Sequence, residues 1–244
     1  MTTPHISLPV LAFPAELRSN LELTSQIRLL INDAFRRSKL PNPEKWDFDR
    51  PRFLTNESYY EQLGEQAVVA LVFDQTQNAE SEQAIDASSD QEQTLCHGDA
   101  RMIGKVIACA AAVPWKGGWA KEGAGKEEGW EIKAVAVHED PKYLHRGLAV
   151  KAMGALEEYL VEKAKTLRRE RSFDEKRVEH KGSIVLWLLV AECINGVYWR
   201  KRGYKEVRRS TESEGTWGCK TSFELVVYRK DVEFDVNNRK EKTP

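Results

Sequence analysis

Apolar residues recur every three or four positions at Ile27, Leu30, Ile31, Ala34 and Phe35, the spacing of one buried stripe on a helix. Thr24 or Ser25 would cap that helix, which runs to about Ser38 before Pro41 and Pro43 stop it. A shorter helix is expected from Thr55 or Asn56 through Leu63, with Gly64 as its stop signal. Gln66 to Phe73 then reads as a strand, and so do Ile103 to Trp115 and Trp130 to Val137. Met153, Leu156, Leu160, Ala164 and Leu167 return to helical spacing within Val150 to Leu167, giving one face that packs on a sheet. Ser183 to Val190 is apolar on both parities, as a strand covered on both faces must be. A short helix from about Ile194 to Arg202, closed by Gly203, leads to a last strand pair, Tyr204 to Arg208 and Ser222 to Tyr228.

Polar stretches interrupt this pattern. Gln75 to Ala100 is rich in Ser, Gln and acids, and too poor in large apolar groups to offset its ordering entropy, so a mobile insert is expected there. The strands on either side of it would pair as a hairpin with an expanded connection. Lys116 to Gly129 is a second interruption, rich in Gly, Lys and Glu, and Arg168 to Lys181 is a charged, solvated insert spanning about 166–182.

Composition narrows the classes of partner. The 37 basic and 38 acidic residues nearly cancel, so no global field draws the chain to nucleic acid or to an anionic membrane. No apolar run approaches the roughly 20 residues a membrane span needs, and residues 1–13 lack a basic region followed by an apolar one. A soluble, cytoplasmic protein is expected, with the nucleus left open. Cys96, Cys109, Cys193 and Cys219 form no C-x-x-C pair and the five His residues no H-E-x-x-H, so no metal is expected. Gly125-Lys126 is not a nucleotide-triphosphate loop, because Ala120 and Glu127 stand where that loop needs Gly and Ser or Thr.

The candidate chemistry lies between the strand Trp130 to Val137 and the helix that follows. Leu144, His145, Arg146, Gly147, Leu148 and Ala149 make a small-residue turn into that helix. Amides at a helix start have no intrahelical acceptor and carry partial positive charge, so a diphosphate docks there if no side chain intervenes. Lys142, Arg146 and Lys151 surround the turn, and Arg146 is the favoured phosphate contact.

The order strand, two helices, three strands, signature helix, buried strand, short helix and two strands resembles the GNAT N-acetyltransferase superfamily. Two motifs carry the resemblance: Leu144-His145-Arg146-Gly147-Leu148-Ala149, and Trp199-Arg200-Lys201-Arg202-Gly203-Tyr204 about fifty residues on. It implies a single domain over 1–244 of α/β (α+β) class. Its mixed, mostly antiparallel sheet would have about seven strands, splayed between strands 4 and 5 and flanked by about four helices. It also implies acetyl-CoA as cosubstrate, with the diphosphate on 144–149 and the pantetheine arm along the main chain of Val135, Ala136 and Val137. Asn195 would touch the cofactor or cap the short helix. The implied reaction is acetyl transfer to a primary amine, of a small molecule rather than a protein, by direct attack in a ternary complex. The alternatives are a peptide acetyltransferase and a non-catalytic acyl-CoA sensor. Glu131 matches the family's base, with His138 and Glu192 as weaker alternatives. Leu144 departs from the usual Gln or Arg, and the turn at His138 to Pro141 is two residues longer than the commonest form. Trp199 stands where many members place a Tyr acid, and an indole N–H cannot act as one. The adjacent Tyr198 is the candidate acid, although neighbouring helical residues point about 100° apart. Acceptor choice would fall to the loops Leu40 to Phe53 and Arg209 to Ser222, whose Trp46, Phe48, Phe53 and Trp217 either line an amine site or close the core.

Overall fold

A computed structural model of the chain describes residues 4–76, 102–172 and 181–236. The insert expected at 75–100 falls mainly outside the described residues, as do Cys96 and the middle, 173–180, of the insert expected at about 166–182. In chain order the elements are β1 (Val10–Ala12), α1 (Pro14–Ser19), α2 (Leu21–Lys39), α3 (Asn56–Leu63), β2 (Val68–Asp74), β3 (Lys105–Pro114), β4 (Trp130–Val137) and α4 (Leu148–Ser172). There follow β5 (Lys181–Ala191), a π-turn at Glu192–Gly196, α5 (Val197–Lys201), β6 (Lys205–Glu212) and β7 (Phe223–Asp235). The strands form a seven-stranded sheet in the order β1-β2-β3-β4-β5-β7-β6. β1–β2, β2–β3, β5–β7 and β6–β7 are antiparallel. β4 and β5 run parallel through two residue pairs, Trp130↔Leu186 and Glu131↔Trp187. A parallel pair needs a long crossover, and α4 supplies it. The expected mixed, mostly antiparallel architecture is therefore present, and β2 and β3 pair as the hairpin expected around the 75–100 segment.

The chain groups into two compact units: Met1–Val113 with Lys133–Leu156 and Ser213–Ser222, and Pro114–Ile132 with Glu157–Glu212 and Phe223–Pro244. In the first, β2 is buried along its whole length and β3 over eight consecutive residues. Leu17, Ile27, Ile31, Phe53, Tyr59 and Leu71 pack with them. In the second, β5 and β7 share an eleven-pair ladder and β6 lies at the edge. Among the described residues, no helix is long and apolar enough to cross a membrane.

Sequence periodicity misplaced several boundaries, each for a local reason. α1 is too short for a periodic signal: Pro14 sits in its first turn and the Glu16 carboxylate accepts the Phe13 amide at 2.7 Å. α2 starts at Leu21 rather than beyond Thr24, because Asn20 Oδ1 accepts the Leu23 amide at 3.0 Å. Thr24 is an interior residue whose hydroxyl donates to the Leu17 carbonyl at 2.7 Å, so its polarity serves packing rather than capping. Five helices are described where about four were expected. α4 runs through Ser172 and β5 begins at Lys181, so both ends of the expected charged insert belong to regular elements. β6 and β7 are longer than expected, since edge and half-exposed strands alternate too many polar residues for an apolar-run reading to follow them.

Replacing Asn20 by Ala removes an N-cap and should cost about 1 kcal/mol of stability. Urea unfolding followed by circular dichroism checks this, and an unchanged midpoint would contradict the capping assignment.

Candidate functional site

The first unit carries its candidates on the second half of β4 and the turn that follows. Ala134 has φ of +52°, a left-handed residue inside a strand, which breaks the regular pleat as a bulge does. Neighbours hold the distorted backbone. The buried Cys109 thiol, pushed up to about 12 by burial, stays neutral and donates to the Ala134 carbonyl at 3.4 Å. The His138 amide donates to the Ile107 carbonyl at 2.8 Å, and Arg37 Nη2 to the Val137 carbonyl at 2.5 Å. Arg37 is itself braced by Asp33 at 3.1 Å. Of the three residues expected to present main chain to the cosubstrate, Ala136 is buried, and Val135 and Val137 are half-buried.

The turn after β4 is tied to β2. The Tyr143 hydroxyl donates to Asp74 Oδ2, and both residues are buried. Lys142 Nζ lies 3.6 Å from the same carboxylate and 4.7 Å from the centre of the Tyr143 ring. Burial alone would raise the Asp74 carboxyl, but hydrogen bonds from Thr76 and Tyr143, with the Lys142 charge, hold it below the usual range. Burial and the Lys105 charge lower His138 instead. A neutral His138 whose Nδ1 accepts the Asp140 amide at 3.1 Å carries its proton on Nε2 and has no free lone pair, so it is poorly placed as a base.

From Tyr143 the chain passes a half-buried Leu144 and exposed His145 and Arg146 to Gly147. His145 and Gly147 both have left-handed backbone, with φ of +58° and +71°. A Cβ built on Gly147 meets no heavy atom within 4 Å, so the approach to the helix start is open. The first i→i−4 bond of α4 runs from Lys151 N to Gly147 O at 3.0 Å, and the amides of 148–150 precede it. Arg146 Nη1 lies 3.4 Å from the Lys142 carbonyl, beside that start.

In the same unit the two loops expected to choose the acceptor are joined. Trp46 and Cys219 form an antiparallel bridge. The Asp47 amide donates to the Gly218 carbonyl at 2.7 Å, and the Lys220 amide to the Lys45 carbonyl at 2.8 Å. Lys39 Nζ, lowered by burial, donates to the Trp217 carbonyl at 2.6 Å. Trp46 and Phe53 are buried and close the core, while Phe48 and Trp217 remain half-exposed.

The second unit carries the remaining candidates. Glu131 is 8% exposed, beside Trp187 in the parallel register. Tyr198 is 36% exposed and Trp199 only 5%. Their rings meet edge to face at 5.0 Å, and Trp199 also meets Tyr204 at 5.6 Å, so the indole is a core group. Asn195 is exposed with φ of −143° in the π-turn; α5 starts after Gly196 without a side-chain cap, so Asn195 does not cap it. Glu192 is engaged: Arg200 Nη1 donates to Oε1, and the Tyr228 hydroxyl donates to Oε2 at 2.7 Å. Burial alone would raise Glu192, but these two donors hold it below the usual carboxylate range. Among the described residues, no group of three His, Cys, Asp or Glu is arranged to hold a metal ion.

Sequence reasoning passed over Asp74, Arg37, Tyr228 and Arg208. Asp74 alone had a legible signal, as the one charge closing the apolar run VVALVFD, where a buried carboxylate requires donors. Tyr228 and Arg208 are paired across long sequence separations, as is Arg37 with the Val137 carbonyl, and those contacts leave no local trace.

A family model described as "Acetyltransferase (GNAT) family" matches residues 55–173, the stretch from α3 through α4. No protein of curated function matches the sequence. Among solved structures, a proposed acetyltransferase of Acinetobacter baylyi is 13% identical with a TM-score of 0.50, over 95% of this chain and 94% of that one. Arabidopsis thaliana NAA60 in complex with a bisubstrate analogue is 12% identical with a TM-score of 0.47, over 92% and 99% of the two chains. The yncA protein of Salmonella typhimurium with its cofactor acetyl-CoA is 13% identical with a TM-score of 0.44, over 97% and 99%. At these identities the likeness is one of fold.

Tyr143→Phe removes a donor from a buried carboxylate and should cost about 1–3 kcal/mol at pH 7. A carboxyl depressed in the folded state contributes stability that is complete above its unfolded value of about 3.9 and is lost as pH falls through its lower folded value. The gap between wild type and variant in urea unfolding should therefore narrow from pH 7 toward pH 3. An equal gap at both ends would contradict the Asp74 pairing.

Proposed function

We propose that this chain, a member of the acetyltransferase (GNAT) family, transfers an acetyl group from acetyl-CoA to a primary amine by direct attack in a ternary complex. The observation that carries the reading is the start of α4. Gly147 leaves it unobstructed, the amides of 148–150 precede the first intrahelical bond, and Arg146 adds a cation beside them. A diphosphate fits that donor set. Val135, Ala136 and Val137, just past the left-handed Ala134, would offer main chain to the pantetheine amides. The amine nitrogen forms a bond to the thioester carbon, the C–S bond breaks, and Glu131 accepts the amine proton. The departing thiolate takes its proton from Tyr198 or from water, since a thiol pKa of about 8.5 makes it a fair leaving group without a dedicated acid. His145, Leu144, Leu148 and Ala149 shape the diphosphate turn, and the exposed Asn195 is available to the cosubstrate.

The acceptor is proposed to be a small amine. Support comes from the junction of the 40–53 and 209–222 loops, whose bridge at Trp46 and Cys219 uses backbone edge that an extended peptide would otherwise need. A binding-only module is the second reading, favoured by the buried Trp199 at the position of the family's acid. Release of thiol from acetyl-CoA across polyamines, amino acids, aminoglycosides, arylamines and peptides separates the two, and no release with any of them would overturn the enzymatic reading.

Acetyl-CoA at about 100 times its Kd should stabilise the wild type by about 2.7 kcal/mol, seen as a rise in Tm. Gly147→Glu, which sets a negative charge in the diphosphate site, should abolish that protection. Gly147→Ala, which meets the same unfavourable φ at about 1–2 kcal/mol without the charge, should keep it. Full protection of the Glu variant would refute the site. Tyr198→Phe should lower turnover less than about tenfold if solvent serves as well as the phenol, whereas a much larger loss with unchanged acetyl-CoA protection would assign it the acid role.

A further inference from the structure

We propose that Arg208 is a positioning residue for this reaction, holding Glu131 at the start of β4 through the loop that precedes it. The inference rests on the reading of Glu131 as the base.

The loop from Trp115 to Gly129 is rich in glycine and charge, yet it is fastened at several points. Its ends are closed by the Trp115 amide, which donates to the Gly129 carbonyl at 2.9 Å. Arg208, on β6, grips its interior: Nη1 and Nη2 reach the two Glu127 oxygens at 2.5 and 2.9 Å, Nε reaches Glu122 at 2.6 Å, and Nη2 also reaches the Gly117 carbonyl at 2.9 Å. Hydrogen bonds from Arg208 hold the Glu127 carboxyl below its usual range against burial, so the pair is charged. The Trp115 indole adds a further donor to Glu127 at 2.8 Å, and the Trp187 indole donates to the Glu128 carbonyl at 2.9 Å. Gly129 lies so close to β5 that a Cβ there would sit 2.3 Å from the Val185 carbonyl oxygen.

Three consecutive residues, 127 to 129, are thus each held by a separate bond, and Glu131 follows two positions later. Its register partner is Trp187. Directly paired residues in a sheet project to the same face, so Glu131 emerges on the face where Trp187 stacks on Trp115 at 4.9 Å and 5°. Residues along the chain Arg208–Glu127–Trp115–Trp187 therefore fix the main chain from which Glu131 rises. A base must lie within hydrogen-bond reach of the proton it takes, and a displacement of about 1 Å costs on the order of a hundredfold in rate.

The test measures thiol release from acetyl-CoA with the pooled amine panel, for wild type, Glu131→Gln, Arg208→Gln, Arg208→Lys and the double variant Glu131→Gln with Arg208→Gln. Arg208→Gln should lower kcat at least about tenfold while the KM for acetyl-CoA stays within about twofold. Arg208→Lys, which keeps the charge but loses the fork, should recover part of the loss. In the Glu131→Gln background Arg208→Gln should cost less than about threefold more, because the group it positions is gone. An equal, independent loss in that background would overturn the inference while leaving the base in place, as would wild-type kcat in Arg208→Gln. Wild-type turnover by Glu131→Gln would remove the base and the inference with it, and no release by the wild type would remove the enzymatic reading. Acetyl-CoA protection against heat reports whether each variant is folded. If Arg208→Gln is not, Glu127→Gln must reproduce the kcat loss or the inference fails.

Discussion

A carboxylate withdrawn from water needs donors, and Asp74 finds them in Thr76, Tyr143 and Lys142. This requirement ties the turn after β4 to the end of β2. The turn in turn sets where α4 begins, and so where its unbonded amides point. The left-handed Ala134 lies before the anchor at Tyr143 and the left-handed Gly147 after it; glycine takes that conformation freely, and the backbone from Ala134 to Val137 is held by neighbours on β3 and α2. The turn proposed to receive the diphosphate is in this sense an extension of the β2 core rather than a free loop.

Much of this was legible in the amino-acid pattern. The apolar stripe of α2, the buried runs of β2, β3 and β5, and the turn into α4 all announced themselves, because each is local: periodicity, parity and a glycine at a helix start are properties of a few neighbouring residues. What was not legible depends on partners far along the chain. Asn20 caps α2 only because the chain has just left α1, and Thr24, which looks like a cap, spends its hydroxyl on Leu17. The loop from Lys116 to Gly129 read as an interruption, since nothing in its own composition reveals that Arg208, about eighty positions later, will grip it.

The chemistry divides the same way. In the proposed reading, cofactor recognition would rest on main chain, so Leu144 in place of a polar residue would not prevent it. The acid position is a side-chain matter, and there the sequence had already departed: Trp199 is packed between Tyr198 and Tyr204 as part of the core. Glu192, one of the alternative bases, is committed to Arg200 and Tyr228, and His138 to the Asp140 amide, so neither alternative to the proposed base Glu131 is well placed to take a proton.

Among the described residues β6 is the last strand of the sheet, and it carries Lys205, Glu206, Arg208 and Arg209 with a shift in register between Glu206 and Arg208. An unpaired rim of backbone groups is a template for another strand, and alternating charge with a local kink spoils that template. Charged side chains along such a last strand work against edge-to-edge pairing between copies of a chain.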